Sequence, residues 1–276
     1  MSTAKGTTTR PMTRGANRSA DLIAVEEPLE IRVSTETLAI TMRTPGDDVR
    51  LALGFLLSEG IIKGARDVGT AAYCGRPGED GYGNVIDVTL ASGVVAHLEK
   101  LDATRRGTLT TSACGVCGRR SVDDLFGLTG PVPAGPSLDA ALIARAPELL
   151  KQVQANFALT GGVHAAAVLT AQGDVLASAE DVGRHNAVDK AIGALVQAGR
   201  APAKRADGEP AVLAVSGRAS FEIVQKAAMA KLAAVVSVSA ASSLAIDLAE
   251  KLGLTLAAFT RGGEFNLYTH PERLQR

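Results

Sequence analysis

The second half of the chain alternates short apolar runs with segments of helical length, and no other feature limits the fold as much. Residues 212–215, 234–238 and 254–259 are runs of strand length, apolar except for Ser237 and Thr255. Between them, residues 221–232 and 243–252 carry apolar side chains at helical spacing. Strands that are apolar on both faces belong inside a sheet with helices on its sides. Upstream, residues 138–155 read as a helix. Residues 162–169 and 174–179 read as a strand pair turning at Gln172-Gly173, residues 186–195 as a helix, and residues 266–269 as a last strand. The expected fold is α/β, a mostly parallel sheet covered by helices over residues 136–276.

The first half is less regular. Residues 22–25, 29–33 and 38–42 read as strands. Thr44-Pro45-Gly46-Asp47 is a turn into a helix over residues 49–62, with Asp47 and Asp48 suited to its first turn. Residues 85–90 and 94–98 alternate as strands. The proline-rich stretch 131–136 marks a boundary, giving a smaller N-terminal α+β domain over residues 21–135 and the α/β domain over residues 136–276. Residues 1–20 hold Lys5, Arg10, Arg14 and Arg18, no acid, and many Ser and Thr, and are expected to form a disordered basic tail.

Composition removes several functions. The 29 basic and 29 acidic side chains cancel, so no global positive field points to nucleic acid. Aromatic residues are 3% with no Trp, too few for a platform that stacks a nucleic-acid strand. With 46% hydrophobic and 21% charged residues the chain is not disordered. No run approaches the ~20 apolar residues of a membrane span. Three cysteines argue against a secreted disulfide scaffold and for a reducing compartment.

Two of those cysteines form the sharpest local motif, Ser112-Ala113-Cys114-Gly115-Val116-Cys117-Gly118-Arg119-Arg120. Arg119 and Arg120 favour thiolates beside them. A structural zinc site needs about four ligands, and only Cys74 and the histidines are left to complete one. A thioredoxin-like pair needs its first Cys opening a helix after a strand, a context the glycines and Arg-Arg-Ser weaken. Two ordinary core cysteines fit poorly in so polar a stretch. A loop over about residues 107–120 carrying a sulfur nucleophile, poorly ordered without a partner, fits best.

Four loops in the second half follow strands: Glu180-Asp181-Val182-Gly183-Arg184-His185-Asn186, Ser216-Gly217-Arg218-Ala219-Ser220, Ser239-Ala240-Ala241-Ser242-Ser243 and Phe259-Thr260-Arg261-Gly262-Gly263-Glu264. Loops after parallel strands gather at one sheet edge, where ligands bind. Helix N-termini there attract anions, and Arg184, Arg218 and Arg261 suit phosphate oxygens. Taken singly, each loop also reads as plain helix capping by Asn186, Ser220, Ser242 or Ser243. Together they indicate a phosphate-rich, nucleotide-containing ligand. Asp181 and His185, four apart, suit an acid/base pair or a cap. His164 suits a core or a functional role, Cys74 packing, and His97 and His270 the surface or core.

The chain resembles the FdhD family of formate dehydrogenase accessory sulfurtransferases. The likeness rests on Glu26-Glu27-Pro28-Leu29-Glu30-Ile31, on Thr44-Pro45-Gly46-Asp47 with Leu51-Ala52-Leu53-Gly54-Phe55-Leu56, and on the Cys114 and Cys117 motif. It continues through Thr160-Gly161-Gly162-Val163-His164-Ala165-Ala166, Ser216-Gly217-Arg218 and the long segment from Glu180 to Lys190, and ends with Phe259-Thr260-Arg261 and Asn266-Leu267-Tyr268-Thr269. The resemblance implies a cytoplasmic sulfurtransferase that takes sulfur from a cysteine desulfurase to the molybdenum (or tungsten) bis-guanine-dinucleotide cofactor of formate dehydrogenase. That cofactor would be cargo, with no permanently bound metal. Cys114 would carry the persulfide and Cys117 assist. The cofactor would meet Phe259, Thr260, Arg261, Gly262, Gly263 and Glu264, with Arg184, His185, Ser216, Gly217 and Arg218 lining the same crevice. A homodimer, with no nucleic-acid or membrane partner, is expected. The family's second domain resembles the cytidine deaminase fold, but the deaminase zinc signature is missing here. The rival reading is a zinc-stabilised nucleotide-binding module without catalysis.

Overall fold

The computed structural model describes residues 6–79, 82–94, 129–135, 137–204 and 206–275. In the first half the strands are β1 (Thr7–Arg14), β2 (Asn17–Ala24), β3 (Glu27–Val33) and β4 (Glu36–Arg43), followed by helix α1 (Asp48–Ser58), β5 (Val68–Tyr73) and β6 (Val85–Leu90). In the second half come β7 (Leu138–Asp139), α2 (Ala140–Lys151), α3 (Ala155–Thr160), β8 (His164–Thr170), β9 (Val175–Asp181) and α4 (Arg184–Gln197). They are followed by β10 (Pro210–Val215), α5 (Phe221–Met229), β11 (Ala234–Ser237), α6 (Ser243–Leu252), β12 (Thr255–Arg261), β13 (Glu264–Thr269) and β14 (Leu274–Gln275).

The large sheet has the order β13-β12-β11-β10-β8-β9. Only the pairings of β10 with β11 and β11 with β12 are parallel; the other three are antiparallel. The sheet is therefore mixed, which corrects the mostly parallel expectation. The reason is local: β8 and β9, and β12 and β13, are joined by turns too short for a crossover. The second sheet, β4-β3-β6-β5, comes from the first half.

Side chains of the large sheet alternate strictly, as the two-residue strand period requires. Ala165, Ala167 and Leu169 of β8 and Val212 and Ala214 of β10 pack with Leu142, Ile143, Ala146 and Leu150 of α2. Ala166, Val168, Leu213 and Val215 face the opposite way, into a core shared with α1, α4, α5 and α6. That core continues to Leu29, Ile31, Val33, Ile86 and Val88 of the second sheet, so one apolar cluster joins residues from both sides of the proline-rich stretch.

Residues 7–24 depart from the sequence reading. Where a tail is expected, β1 and β2 pair as an antiparallel hairpin, Thr7 opposite Ala24 and Arg14 opposite Asn17. Its root is held where Val25 N donates to Gly6 O at 2.9 Å. The helix expected over residues 138–155 ends at Lys151, and a separate turn of helix, α3, follows. Residues 95–98 of the strand expected over 94–98, and the loop 107–120, fall outside the described residues. Among the described residues no helix is long and apolar enough to cross a membrane.

Candidate functional site at the sheet edge

The strand register brings the four loops together. Val215 of β10 lies opposite Ala166 of β8, and His164 lies opposite Asp181 at the end of β9. The start of β8 therefore stands at the same edge as the ends of β9 and β10, and parallel β11 and β12 end there too. Backbone bonds knit the loops to one another. Ser216 N donates to Ala165 O at 3.0 Å, Ala219 N to Ala240 O at 3.0 Å, Ser242 N to Ala219 O at 3.1 Å and Phe259 N to Ser239 O at 2.9 Å. The Ser237 hydroxyl donates to Gly217 O at 2.7 Å.

Two recesses open at this edge. The larger, about 820 Å³, is lined by His164, Ser216, Val238, Thr260, Arg261 and Gly262, with Gly161, Gly162 and Val163 on a third side. Its outer wall comes from α2 and α3, through Pro147, Glu148, Lys151, Gln154, Phe157 and Ala158. The second, about 730 Å³, is lined by Phe259, Arg261, Gly263, Glu264, Phe265 and Asn266, so Arg261 is common to both. Thr260 is fully buried, and its Oγ1 has no hydrogen-bond partner. The Nε of Arg184 is likewise buried and unpartnered. Such atoms are costly unless something else meets them.

Gly217 is buried between His164 and Arg184: a Cβ added there would stand 3.4 Å from His164 Nδ1 and 3.5 Å from Arg184 Cβ. Burial holds the His164 imidazole below its ordinary pKa, and the positive charge of Arg184 and the nearby His185 add to this, against Asp181. A neutral imidazole therefore faces the larger recess, with one nitrogen to donate and one to accept.

Of the sequence candidates, Arg184, His185, Gly217 and Arg218 are not among the residues lining these recesses. Arg218 is exposed at the turn into α5. His185 is buried, with Nε2 2.6 Å from Glu222 Oε2 and 3.4 Å from Ser220 Oγ. It does not pair with Asp181. That carboxylate sits 2.7 Å from Lys190 Nζ and accepts from Thr44 N (3.1 Å), Gly183 N (2.8 Å) and the Asn186 amide (3.1 Å). The expected caps also differ. Ser242 caps α6 by accepting from Ala245 N at 3.4 Å, whereas Ser220 makes no side-chain cap bond and Asn186 donates to Met42 O at 2.8 Å instead. Cys114, Cys117, Arg119 and Arg120 lie outside the described residues, as does His97; Cys74 is half-buried with a free thiol. The α2–α3 wall was invisible in the loops. Its signal is the Glu148 and Lys151 pair, three apart on the last turn of a helix that leads to Thr160-Gly161-Gly162-Val163-His164.

With the edge, its two recesses and the buried Asp181 cluster described, comparison with known proteins decides the family. Residues 24–275 match the FdhD/NarQ family. The chain belongs to that family. The family match takes in both loop systems and the α2–α3 wall, and begins just where the β1–β2 hairpin ends. A relative named sulfur carrier protein FdhD, from Anaeromyxobacter dehalogenans strain 2CP-1, is 54% identical over 96% of this chain and 92% of its own length. One of the same name from Mycobacterium tuberculosis is 47% identical over 92% of each chain. Among solved structures, a candidate formate dehydrogenase accessory protein from Desulfotalea psychrophila superposes with a TM-score of 0.71 over 98% of each chain, at 24% identity, a likeness of fold.

The segments that carried the resemblance prove to be largely architectural. Thr44 and the Glu180 to Lys190 stretch lock together: Lys190 donates to Thr44 O at 2.7 Å and Val182 N to Thr44 Oγ1 at 3.2 Å. The glycines of α1 and α4 let those helices touch backbone to backbone. These contacts fix the N-terminus of α4, and with it Arg184, beside Gly217.

Proposed function

We propose that the chain is a sulfur carrier that loads sulfur on Cys114 and delivers it to a molybdenum cofactor with guanine dinucleotide arms, seated in the crevice, for use by formate dehydrogenase. The observation that carries this reading is the larger recess, whose lining includes Arg261 and Thr260, the latter with a buried, unpartnered Oγ1. A phosphate group meets both needs, since it accepts from a hydroxyl and takes paired hydrogen bonds from a guanidinium. The names of the relatives supply the sulfur half of the reading.

The chemistry balances with the chain's own thiols. The Cys114 thiolate attacks the outer sulfur of a persulfide on a cysteine desulfurase, and the donor's thiolate leaves. Release of that sulfur as sulfide requires two electrons. Cys117 supplies them when its thiol closes a disulfide with Cys114, and the thiol protons leave with the sulfide. A cytoplasmic setting, where thiols are kept reduced, suits this cycle.

Calorimetric titration with GDP, standing for one cofactor arm, tests the crevice. Wild type should bind, and Arg261→Ala should bind roughly ten- to a hundredfold more weakly, the loss of one charged hydrogen-bonding partner. Sulfur loading on Cys114 should survive in that variant. Equal GDP affinity in both proteins would remove Arg261 from the site.

A further inference from the structure

The β1–β2 hairpin takes no part in the crevice, and all of it before Ala24 lies outside the family match. Every residue from Thr9 to Asp21 except Met12 is exposed. Eight residues of strand rise about 27 Å, so this is a projecting arm. Among the described residues neither strand pairs with a third, and a lone two-stranded hairpin is marginal in water. Its base, by contrast, is fixed. Val25 N donates to Gly6 O at 2.9 Å, Thr7 is buried, and β2 packs on α3. A Cβ added to Gly162 would stand 3.5 Å from the Cβ of Ala24. Gly162 and the α3 residues Phe157 and Ala158 line the larger recess, so the arm is rooted on the wall of the crevice.

The register sorts the side chains of the arm, because residues directly opposed on two strands share a face. Thr7, Leu22 and Ala24 lie on the face that rests against the body. Arg10, Met12, Arg14 and Ile23 lie on the other, where Ile23 is 38% exposed. The Arg10 guanidinium donates within its own strand, to Thr8 Oγ1 at 3.1 Å and Thr9 O at 3.3 Å, which leaves its charge in place. With Arg18 near the tip, the hairpin holds three arginines against one acid, Asp21, in a chain whose charges otherwise balance. Arginine and methionine beside an exposed aliphatic side chain are the mixture that protein interfaces favour. Resting on the reading of the crevice just given, we propose that this free face is a docking arm. Its occupant is the enzyme that takes the cofactor from the crevice, held by an acidic surface of that enzyme meeting Arg10 and Arg14 around Met12 and Ile23. The root of the arm selects this partner. A protein that collects the cofactor has to come to the crevice wall, whereas a sulfur donor has only to reach a thiol.

Titration of the full chain against cofactor-free formate dehydrogenase tests the arm. The double variant Arg10→Ser with Arg14→Ser removes two positive charges from the free face. Thr9→Glu with Thr13→Glu changes the net charge by the same amount on the opposite face, again at exposed positions. The arginine variant should bind the enzyme about tenfold more weakly or worse, and the threonine variant should stay close to wild type. Raising the salt from about 0.1 M to about 0.5 M should weaken wild type far more than the arginine variant, because the lost contacts are the charged ones. GDP binding and sulfur loading should be unchanged in both variants. Wild-type affinity in the arginine variant, equal weakening in the two variants, or a loss confined to binding of the cysteine desulfurase would each overturn the docking arm while leaving the crevice reading standing. Absence of GDP binding in wild type would overturn the crevice reading, and the choice of partner with it.

Discussion

Gly193 of α4 lies directly against the carbonyl oxygen of Arg50 in α1, with no room for a Cβ between them. Gly54 of α1 meets the carbonyl of Asp189 in the same way, so the two helices touch at reciprocal glycines. This crossing joins the first half of the chain to the helix that begins at Arg184. Because the obstacle is backbone, no side chain can swing aside. Gly54→Ala or Gly193→Ala should cost more than about 3 kcal/mol, the upper end of ordinary overpacking. Urea denaturation measures it, and a loss under about 1 kcal/mol would mean that the helices slide apart without consequence.

A second joint lies close by. Asp189 is buried, with Lys226 Nζ 2.7 and 2.8 Å from its two oxygens and the Ser58 hydroxyl donating to it at 3.0 Å. Lys226→Met leaves that carboxylate without its counter-charge and should destabilise by about 3–5 kcal/mol. The double variant Asp189→Leu with Lys226→Met should recover most of that loss, because no lone charge is left. Equal loss in single and double variants would show that packing, not charge, is at stake.

His164 predicts a pH dependence with a definite sign. Its folded pKa is depressed, by burial first and then by Arg184 and His185. The folded protein therefore takes the proton less readily than the unfolded chain. The stability this residue contributes is complete above the unfolded value of about 6.5 and is lost as pH falls through the depressed folded value. Thermal unfolding of wild type and His164→Gln, compared between about pH 8 and pH 5, should show a smaller acid loss in the variant. A steeper loss in the variant would reverse the sign and contradict the burial argument.

Much of this was legible in the sequence, and the failures have physical causes. The apolar runs of β10, β11 and β12 announced themselves because both faces are buried. β5 did not: Gly69, Thr70, Ala71 and Ala72 form an edge strand with little to bury. β1, built from Thr and Arg, is stabilised by pairing with β2 and carries almost no apolar signal. The four loops were foreseen at one edge because strand order alone sends them there. The partner of Asp181 was misjudged because His185 is near in sequence, whereas the fold turns Lys190 onto Asp181 and His185 onto Glu222 of α5. The α2–α3 wall went unread because Glu148 and Lys151 look like any solvated helix face until the fold turns that face over the recess.

The two cysteines should separate by role. In a strain lacking its own copy of this protein, Cys114→Ala should fail to restore formate dehydrogenase activity, and Cys117→Ala should restore it only in part. Both purified variants should bind GDP as wild type does, since the described lining of the recesses already supplies Thr260 and Arg261. Full restoration by Cys114→Ala would remove it as the carrier.

The central claim is that sulfur rides on Cys114. Mass spectrometry of the purified protein, after incubation with a cysteine desulfurase and cysteine, measures this directly. The account predicts one added sulfur atom on the peptide containing Cys114, removable by a thiol reductant and absent in Cys114→Ala. Sulfur found only on Cys74, or on no thiol of the chain, would contradict it.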